Sequence, residues 1–176
     1  MVSELRRKLM DSGALMRGEF TLASGRRSGY YVDIKRASTD PAILSMMARE
    51  LSSLMSNNNV RADRIAGVAL GSIPLAVALS LETGIPFVMV RREKKDHGTG
   101  RAIEGRLEKG DQVVVVEDVI TSASSATEAI RSLREAGATV STVLAVIDRQ
   151  EGGAELLKEI GVRLLSLLTA SDLLED

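Results

Sequence analysis

Apolar positions along this chain fall into two patterns that alternate from about residue 60 onward. The runs "RIAGVAL", "PFVMV", "QVVVVE", "TVSTVLAVID" and "VRLLSLL" are nearly continuous, which predicts strands buried on both faces. Between them, "SIPLAVALSLETG", "SATEAIRSLREAG" and "GAELLKEIG" read as helices, the first two ending at Gly84 and Gly137. Such an alternation predicts an α/β fold, a central mostly parallel sheet flanked by helices.

The N-terminal part is built differently. Ser3 to Ser12 has helical spacing, with Leu5, Leu9 and Met10 on one face. "EFTLASGRRSGYYVDIKR" predicts two short strands around a polar turn at Ser24 to Gly29. Thr39-Asp40-Pro41 opens a helix carried to about Met55 by Ile43, Leu44, Met47, Leu51 and Leu54, and "SNNNV" breaks it. Arg91 to Gly110 stands out of rhythm: a long, charged, Gly-containing connection with no apolar stripe, which predicts a loop without structure of its own, either functional or disordered.

Composition narrows the classes. A chain of 176 residues, 44% hydrophobic, fills one good core and is expected to form one domain over 1–176. Its formal charge of -1 gives no general field for a polyanion, and four aromatics (Phe20, Tyr30, Tyr31, Phe87) are too few for a nucleic-acid stacking platform. No nucleic-acid partner is therefore expected. No stretch approaches the roughly 18 consecutive apolar residues of a membrane span, and the charged start lacks a secretory apolar core. The expectation is a soluble protein with no membrane partner, and the absence of Cys suits a reducing cytoplasm.

Candidate chemistry concentrates in "GDQVVVVEDVITSASSATEAI", Gly110 to Ile130. A doubly buried strand ends in two acids, Glu117 and Asp118, and runs through Thr121, Ser122, Ala123, Ser124 and Ser125 into a helix. In open parallel sheets, ligands bind beyond the carboxyl ends of strands. Helix-start N–H groups and hydroxyls attract phosphate, so a phosphate is expected on 121–125. The adjacent carboxylates repel phosphate, and ribose hydroxyls or a hydrated Mg²⁺ suit them. A sugar phosphate meets both demands. The simpler alternative is that Asp118 or Ser122 only caps the helix; neither dinucleotide nor Walker-type glycine fingerprints occur.

"VVVVEDVITSASS" resembles the phosphoribosyl-pyrophosphate (PRPP) motif of type I phosphoribosyltransferases. "RREKKDHGTG" is similar to the catalytic loop of the orotate phosphoribosyltransferase family, "FTLASGRRSGYY" to its base-binding segment and "VIDRQEGG" to its segment carrying an Arg for the orotate carboxylate. The resemblance covers about residues 19 to 153. It implies the type I phosphoribosyltransferase fold, with residues 1–38 contributing a small N-terminal hood. It also implies a reaction in de novo pyrimidine synthesis: orotate and PRPP give orotidine 5'-monophosphate and pyrophosphate, with Mg²⁺ as cofactor.

By the same resemblance, Glu117 and Asp118 hold the ribose, and Val119, Ile120, Thr121, Ser122, Ala123, Ser124 and Ser125 hold the 5'-phosphate. Gly71 and Ser72 shape the pyrophosphate loop, while Arg91, Arg92, Lys95 and His97 meet the pyrophosphate. Lys95, His97 and Asp118 carry the catalysis. Thr121, Arg149, Tyr30 and Tyr31 face orotate. Mg²⁺ is expected mainly on PRPP and water, near Glu117 and Asp118, and the family implies a homodimer whose 91–107 loop acts across subunits.

Three positions depart from the family pattern: Ala23 for a Lys, Arg92 for a Lys, and Ala123 for a Gly. If residue 123 needs positive φ, Ala is strained there by about 1–2 kcal/mol. Rival readings are a phosphoribosyltransferase for another base, opposed by the Tyr/Arg segment and Arg149, and a non-catalytic PRPP-sensing regulator, opposed by the retained catalytic loop.

Overall fold

The strand β6 (Gln112–Ile120) shows why the valine run is uninterrupted: it lies inside a sheet with helices on both sides. Val114 and Val116 join one apolar cluster, and Val113 and Val115 join the other. Alternate side chains of a strand point to opposite faces, so a strand covered twice must be apolar at every position. The computed structural model describes residues 2–21, 27–91 and 102–174.

Along the chain the remaining elements are α1 (Val2–Asp11), β1 (Leu15–Thr21), β2 (Arg27–Val32), α2 (Ile34–Ala37), α3 (Pro41–Asn57), β3 (Arg64–Val68), α4 (Ile73–Thr83), β4 (Phe87–Val90) and β5 (Ile103–Glu104). After β6 come α5 (Ser124–Glu135), β7 (Thr139–Asp148), α6 (Gly153–Glu159), β8 (Arg163–Thr169) and α7 (Ala170–Leu174). The large sheet has the order β5-β4-β3-β6-β7-β8, parallel except for β5 at the edge. Leu75, Ala76 and Leu79 of α4 cover one face together with α1 and α3; Ala126, Ala129, Ile130 and Leu133 of α5 cover the other. The expected mostly parallel, helix-flanked α/β architecture is present.

This order contains a reversal. From β3 the chain moves outward through α4 to β4, and from β6 it moves the opposite way through α5 to β7. The loops leaving β3 and β6 therefore diverge and leave a crevice at the carboxyl ends of two neighbouring strands, the usual ligand position in open sheets of this kind.

The N-terminal hairpin pairs β1 with β2 antiparallel, Met16 opposite Tyr31 and Arg17 opposite Tyr30, with an irregularity between Arg17 and Phe20. Leu5, Leu9, Tyr30, Val32 and Ile34 belong to the same apolar cluster as Leu75 and Val114, so this hood rests on the main core. Among the described residues, no helix is long and apolar enough to cross a membrane.

Two local expectations are corrected. The "YYVDIKR" strand stops at Val32, because the Asp33 side chain accepts a 3.2 Å hydrogen bond from the Arg36 N–H and starts the short α2. The segment 91–110 is not free of structure throughout: β5 pairs antiparallel with β4, Val90 opposite Ile103 and Met89 opposite Glu104. The predicted turn at 24–29 falls partly, and the basic part of the 91–110 connection largely, outside the described residues.

The start of α3 is as the sequence predicts. Pro41 occupies the first turn, and the Asp40 carboxylate accepts from Ala42 N–H at 2.8 Å and Ile43 N–H at 3.2 Å. Removing that cap with Asp40→Ala is expected to cost about 1 kcal/mol. A thermal melt should show Tm lower by roughly 2–4 °C for a domain of this size, with native helical content unchanged.

Candidate active site

Two strand ends build the centre of the crevice. After β3 the backbone turns through residues 69–72, where the Ala69–Leu70 peptide is cis, and Ser72 begins α4. Ser72 is fully buried, and its hydroxyl donates to Glu117 Oε2 across 45 residues of sequence. Glu117 is 3% exposed. A carboxylate this deep needs hydrogen-bond partners, and the serine supplies one. Asp118 is more open; its Oδ1 accepts from Val119 N–H at 3.0 Å, and its Oδ2 lies so near Gly71 that a Cβ there would overlap it. Glycine at 71 leaves the Asp118 carboxylate this position; a larger residue would have to turn it away.

Beyond the acids, Glu117 and residues 119–126 line a concavity of about 300 Å³. Helix α5 begins there, and its N-cap is Ala123, which makes no side-chain capping bond. The capping alternative for Asp118 or Ser122 is thereby excluded. The first intrahelical bond runs from Thr127 N–H to Ala123 O at 2.9 Å, so the N–H groups of Ser124, Ser125 and Ala126 precede the helical ladder. No acidic residue occupies the first turn, so the positive end of the helix dipole is not offset there. Ala123 has φ 58 and ψ 14, the left-handed conformation that favours glycine.

A second group of side chains borders the same loop. The Arg149 backbone N–H donates to Ile120 O at 2.9 Å, its Nε meets Glu151 Oε1 at 2.9 Å, and its guanidinium carbon lies 4.6 Å from the centre of the Tyr30 ring. Arg149 is 7% exposed and Tyr30 8%. Burial raises the Tyr30 hydroxyl above its usual pKa, and the neighbouring Arg149 cation opposes that rise. A planar cation held over an aromatic face and fixed through Nε suits flat, carboxylate-bearing ligands.

The structure thus brings together Tyr30, Gly71, Ser72, Glu117, Asp118, Val119, Ile120, Thr121, Ser122, Ala123, Ser124, Ser125 and Arg149. Tyr31 is placed apart from Tyr30: adjacent strand residues face opposite ways, and Tyr31 packs on Phe20 with ring centres 5.6 Å apart. Arg91 follows β4 and pairs with Glu104 at 3.2 Å, while Val90 O accepts from Ala69 N–H at 2.8 Å, which sets the start of the long loop beside residues 69–72. Arg92, Lys95, His97 and Ala23 lie outside the described residues. The pairing of Arg149 with Glu151 was one of the two, with Asp148, that the sequence offered, whereas sequence reasoning passed over Gly153 and Lys35. The Lys35 side chain runs beside Gly71, with its Nζ 3.9 Å from Asp33 Oδ1. A Lys after a short acid-capped turn carried no periodic signal.

The phosphoribosyl transferase domain model matches residues 39–164. The orotate phosphoribosyltransferase of Methanosarcina mazei is 48% identical over 172 residues, covering 98% of this chain and 91% of that protein. This chain belongs to the orotate phosphoribosyltransferase family. The crystal structure of orotate phosphoribosyltransferase from Aeropyrum pernix is similar with a TM-score of 0.84 at 38% identity, covering 97% of this chain and 96% of that one. That of the Mycobacterium tuberculosis enzyme in complex with PRPP has a TM-score of 0.81 at 30% identity, covering 98% of both chains. The protein is a phosphoribosyltransferase, and its sheet and helices are those of the type I fold.

Because the Gly71 backbone abuts the Asp118 carboxylate, Gly71→Ala is expected to turn that carboxylate away. Phosphoribosyl transfer should then fall by about a hundredfold, with the melting temperature little changed. A rate within about twofold of the parent protein in a steady-state assay would show that the carboxylate position is not critical.

Proposed function

We propose that this phosphoribosyltransferase transfers the 5-phosphoribosyl group from PRPP to orotate, giving orotidine 5'-monophosphate and pyrophosphate in de novo pyrimidine synthesis. The observation that carries this reading is the adjacency of two subsites: acids and a helix-start cradle at the end of β6, with a buried Arg149 over Tyr30 beside it. The first suits a ribose 5-phosphate, the second an anionic flat base. The names of the relatives, orotate phosphoribosyltransferases from several archaea, point the same way. Arg149, held over Tyr30 and braced by Glu151, presents a planar cation that suits the carboxylate of orotate better than a neutral purine or uracil.

In this reading, residues 119–125 hold the 5'-phosphate through backbone N–H groups and hydroxyls. Asp118 takes a ribose hydroxyl, and Glu117, braced by Ser72, takes another. Gly71 leaves room for the diphosphate beside Asp118. Thr121, Arg149 and Tyr30 receive orotate. Tyr31, packed on Phe20, supports the hood rather than the base. Mg²⁺ fits this donor set, because the carboxylate oxygens of Asp118 and Glu117 are hard ligands beside the proposed diphosphate position. When bound, it would neutralise charge developing on the departing pyrophosphate.

No protein nucleophile is required. Cleavage at C1' leaves positive charge on the ribose and negative charge on the leaving group, and fixed cations help most at the latter. In this reading Arg91, Arg92, Lys95 and His97 supply them. A cytoplasmic location fits a reaction on two small anionic substrates and remains part of this proposal.

The proposed assembly is a homodimer. Helix α4 is apolar nearly all round: Leu75, Ala76 and Leu79 enter the core, while Ile73, Pro74, Val77 and Ala78 are only half-buried and Leu81 is 83% exposed. Leu70, in the loop leading to α4, is 79% exposed. An apolar outer face on such a helix suits burial against a second copy. That face adjoins the loop at 69–72, so a copy docked there lies beside this site, in keeping with the proposed action of the 91–107 loop across subunits.

Incubated with Mg²⁺ and PRPP, the protein should consume orotate and leave uracil, hypoxanthine and adenine intact; consumption of a neutral base instead would overturn the assignment. Arg149→Ala should raise the orotate KM by about tenfold or more while the PRPP KM moves far less, and equal changes would remove its proposed role. Mixing Lys95→Ala with Asp118→Ala protein should restore part of the activity lost in each, through hybrid dimers that keep one intact site. Absence of recovery after demonstrated subunit exchange would refute catalysis across subunits.

A further inference from the structure

We propose that Gly153, the first residue of α6, is a positioning residue that sets the shape of the loop at 120–123. The inference rests on the reading that this loop holds the 5'-phosphate of PRPP. A Cβ on Gly153 would lie 2.5 Å from Ile120 Cγ2, 2.6 Å from the Thr121 carbonyl oxygen and 3.3 Å from the Ala123 nitrogen. Two of these atoms are backbone of the proposed phosphate cradle. The third is a branch of a side chain only 2% exposed, one bond from its own Cβ and without room to swing aside.

Gly153 and the preceding Gly152 are glycines for different reasons. Gly152 has φ +94, a conformation that L side chains rarely adopt, yet nothing lies within 4 Å of a Cβ built there. Gly153 is buried outside that left-handed range, and its requirement is space alone. The same five-residue stretch touches the loop at both of its ends. Arg149 N–H bonds to Ile120 O at 2.9 Å, and Gly153 closes against Thr121 O. The loop is thus seated on the start of α6, and a methyl group at 153 has to lift the Thr121 carbonyl. The N–H groups that follow it move with it. A cradle that binds through several backbone donors at once tolerates little displacement.

The pair of glycines provides the control. Gly153→Ala and Gly152→Ala are prepared in the full chain and compared for Tm, for the KM of each substrate, and for binding of Mg²⁺–PRPP by calorimetry without orotate. Gly153→Ala is expected to raise the PRPP Kd and KM by about tenfold or more, and the orotate KM by less. Gly152→Ala strains the same turn without reaching the loop, so it should lower Tm and keep the PRPP constants of the parent protein. Parental PRPP binding in Gly153→Ala, or an equal loss in Gly152→Ala, would overturn the proposal. If Gly153→Ala does not fold, Gly153→Ala combined with Ile120→Leu is measured in its place. That change removes the Cγ2 overlap and leaves the one with Thr121 O, so weakened PRPP binding is still expected. A Ser124→Glu, Ser125→Glu protein, whose two carboxylates repel a phosphate held there by hydroxyls or by backbone N–H groups, separates the two levels. Unchanged PRPP binding there would sink the phosphate assignment itself, whereas weakened binding there with parental binding in Gly153→Ala would sink only the role of Gly153.

Discussion

The bond from the Ser72 hydroxyl to Glu117 Oε2 joins the ends of two adjacent parallel strands at the point where their chains part company. Both groups are almost fully buried, so the bond forms where water cannot compete. A carboxylate in that position is costly unless it is hydrogen-bonded, and the Ser72 bond forms when β3 and β6 are side by side and in register. The crevice, the approach of Gly71 to Asp118 and the start of α4 all follow from that arrangement. A sheet that slipped by one residue would still bury valines on both faces, but it would carry Glu117 away from Ser72.

Reading the sequence located most of the sheet because double burial leaves no ambiguity in runs such as Val113 to Val116. Helix α3 was equally legible, since Asp40 and Pro41 state its start chemically. Short elements were not. The end of β2 is decided by one Asp33 bond against the strand preference of Val32 and Ile34, and β5 is two residues long, defined by its pairing with β4 and not by any local pattern.

The site divides along the same line. The acids and hydroxyls at 117–125 are consecutive, so their chemistry could be read directly. The Tyr30–Arg149 contact joins residues 119 positions apart through the packing of a hairpin on a core, and no spacing rule connects them. Which of two neighbouring tyrosines points inward depends on the register of that hairpin, and that register shifts between Arg17 and Phe20. Ala123 lay between the two cases: its sequence position raised the question of a left-handed residue, and only the backbone answered it.

In the proposed reading, where this loop grips a small anion repeatedly, an alanine held at φ 58 has a further meaning. Glycine at that point would let the turn wander among many shapes before the anion arrived, and each capture would have to arrest that wandering. With a methyl group in place, the turn is a tense, ready-made socket. The tension is met once, when the polypeptide first folds, and it does not recur with every turnover.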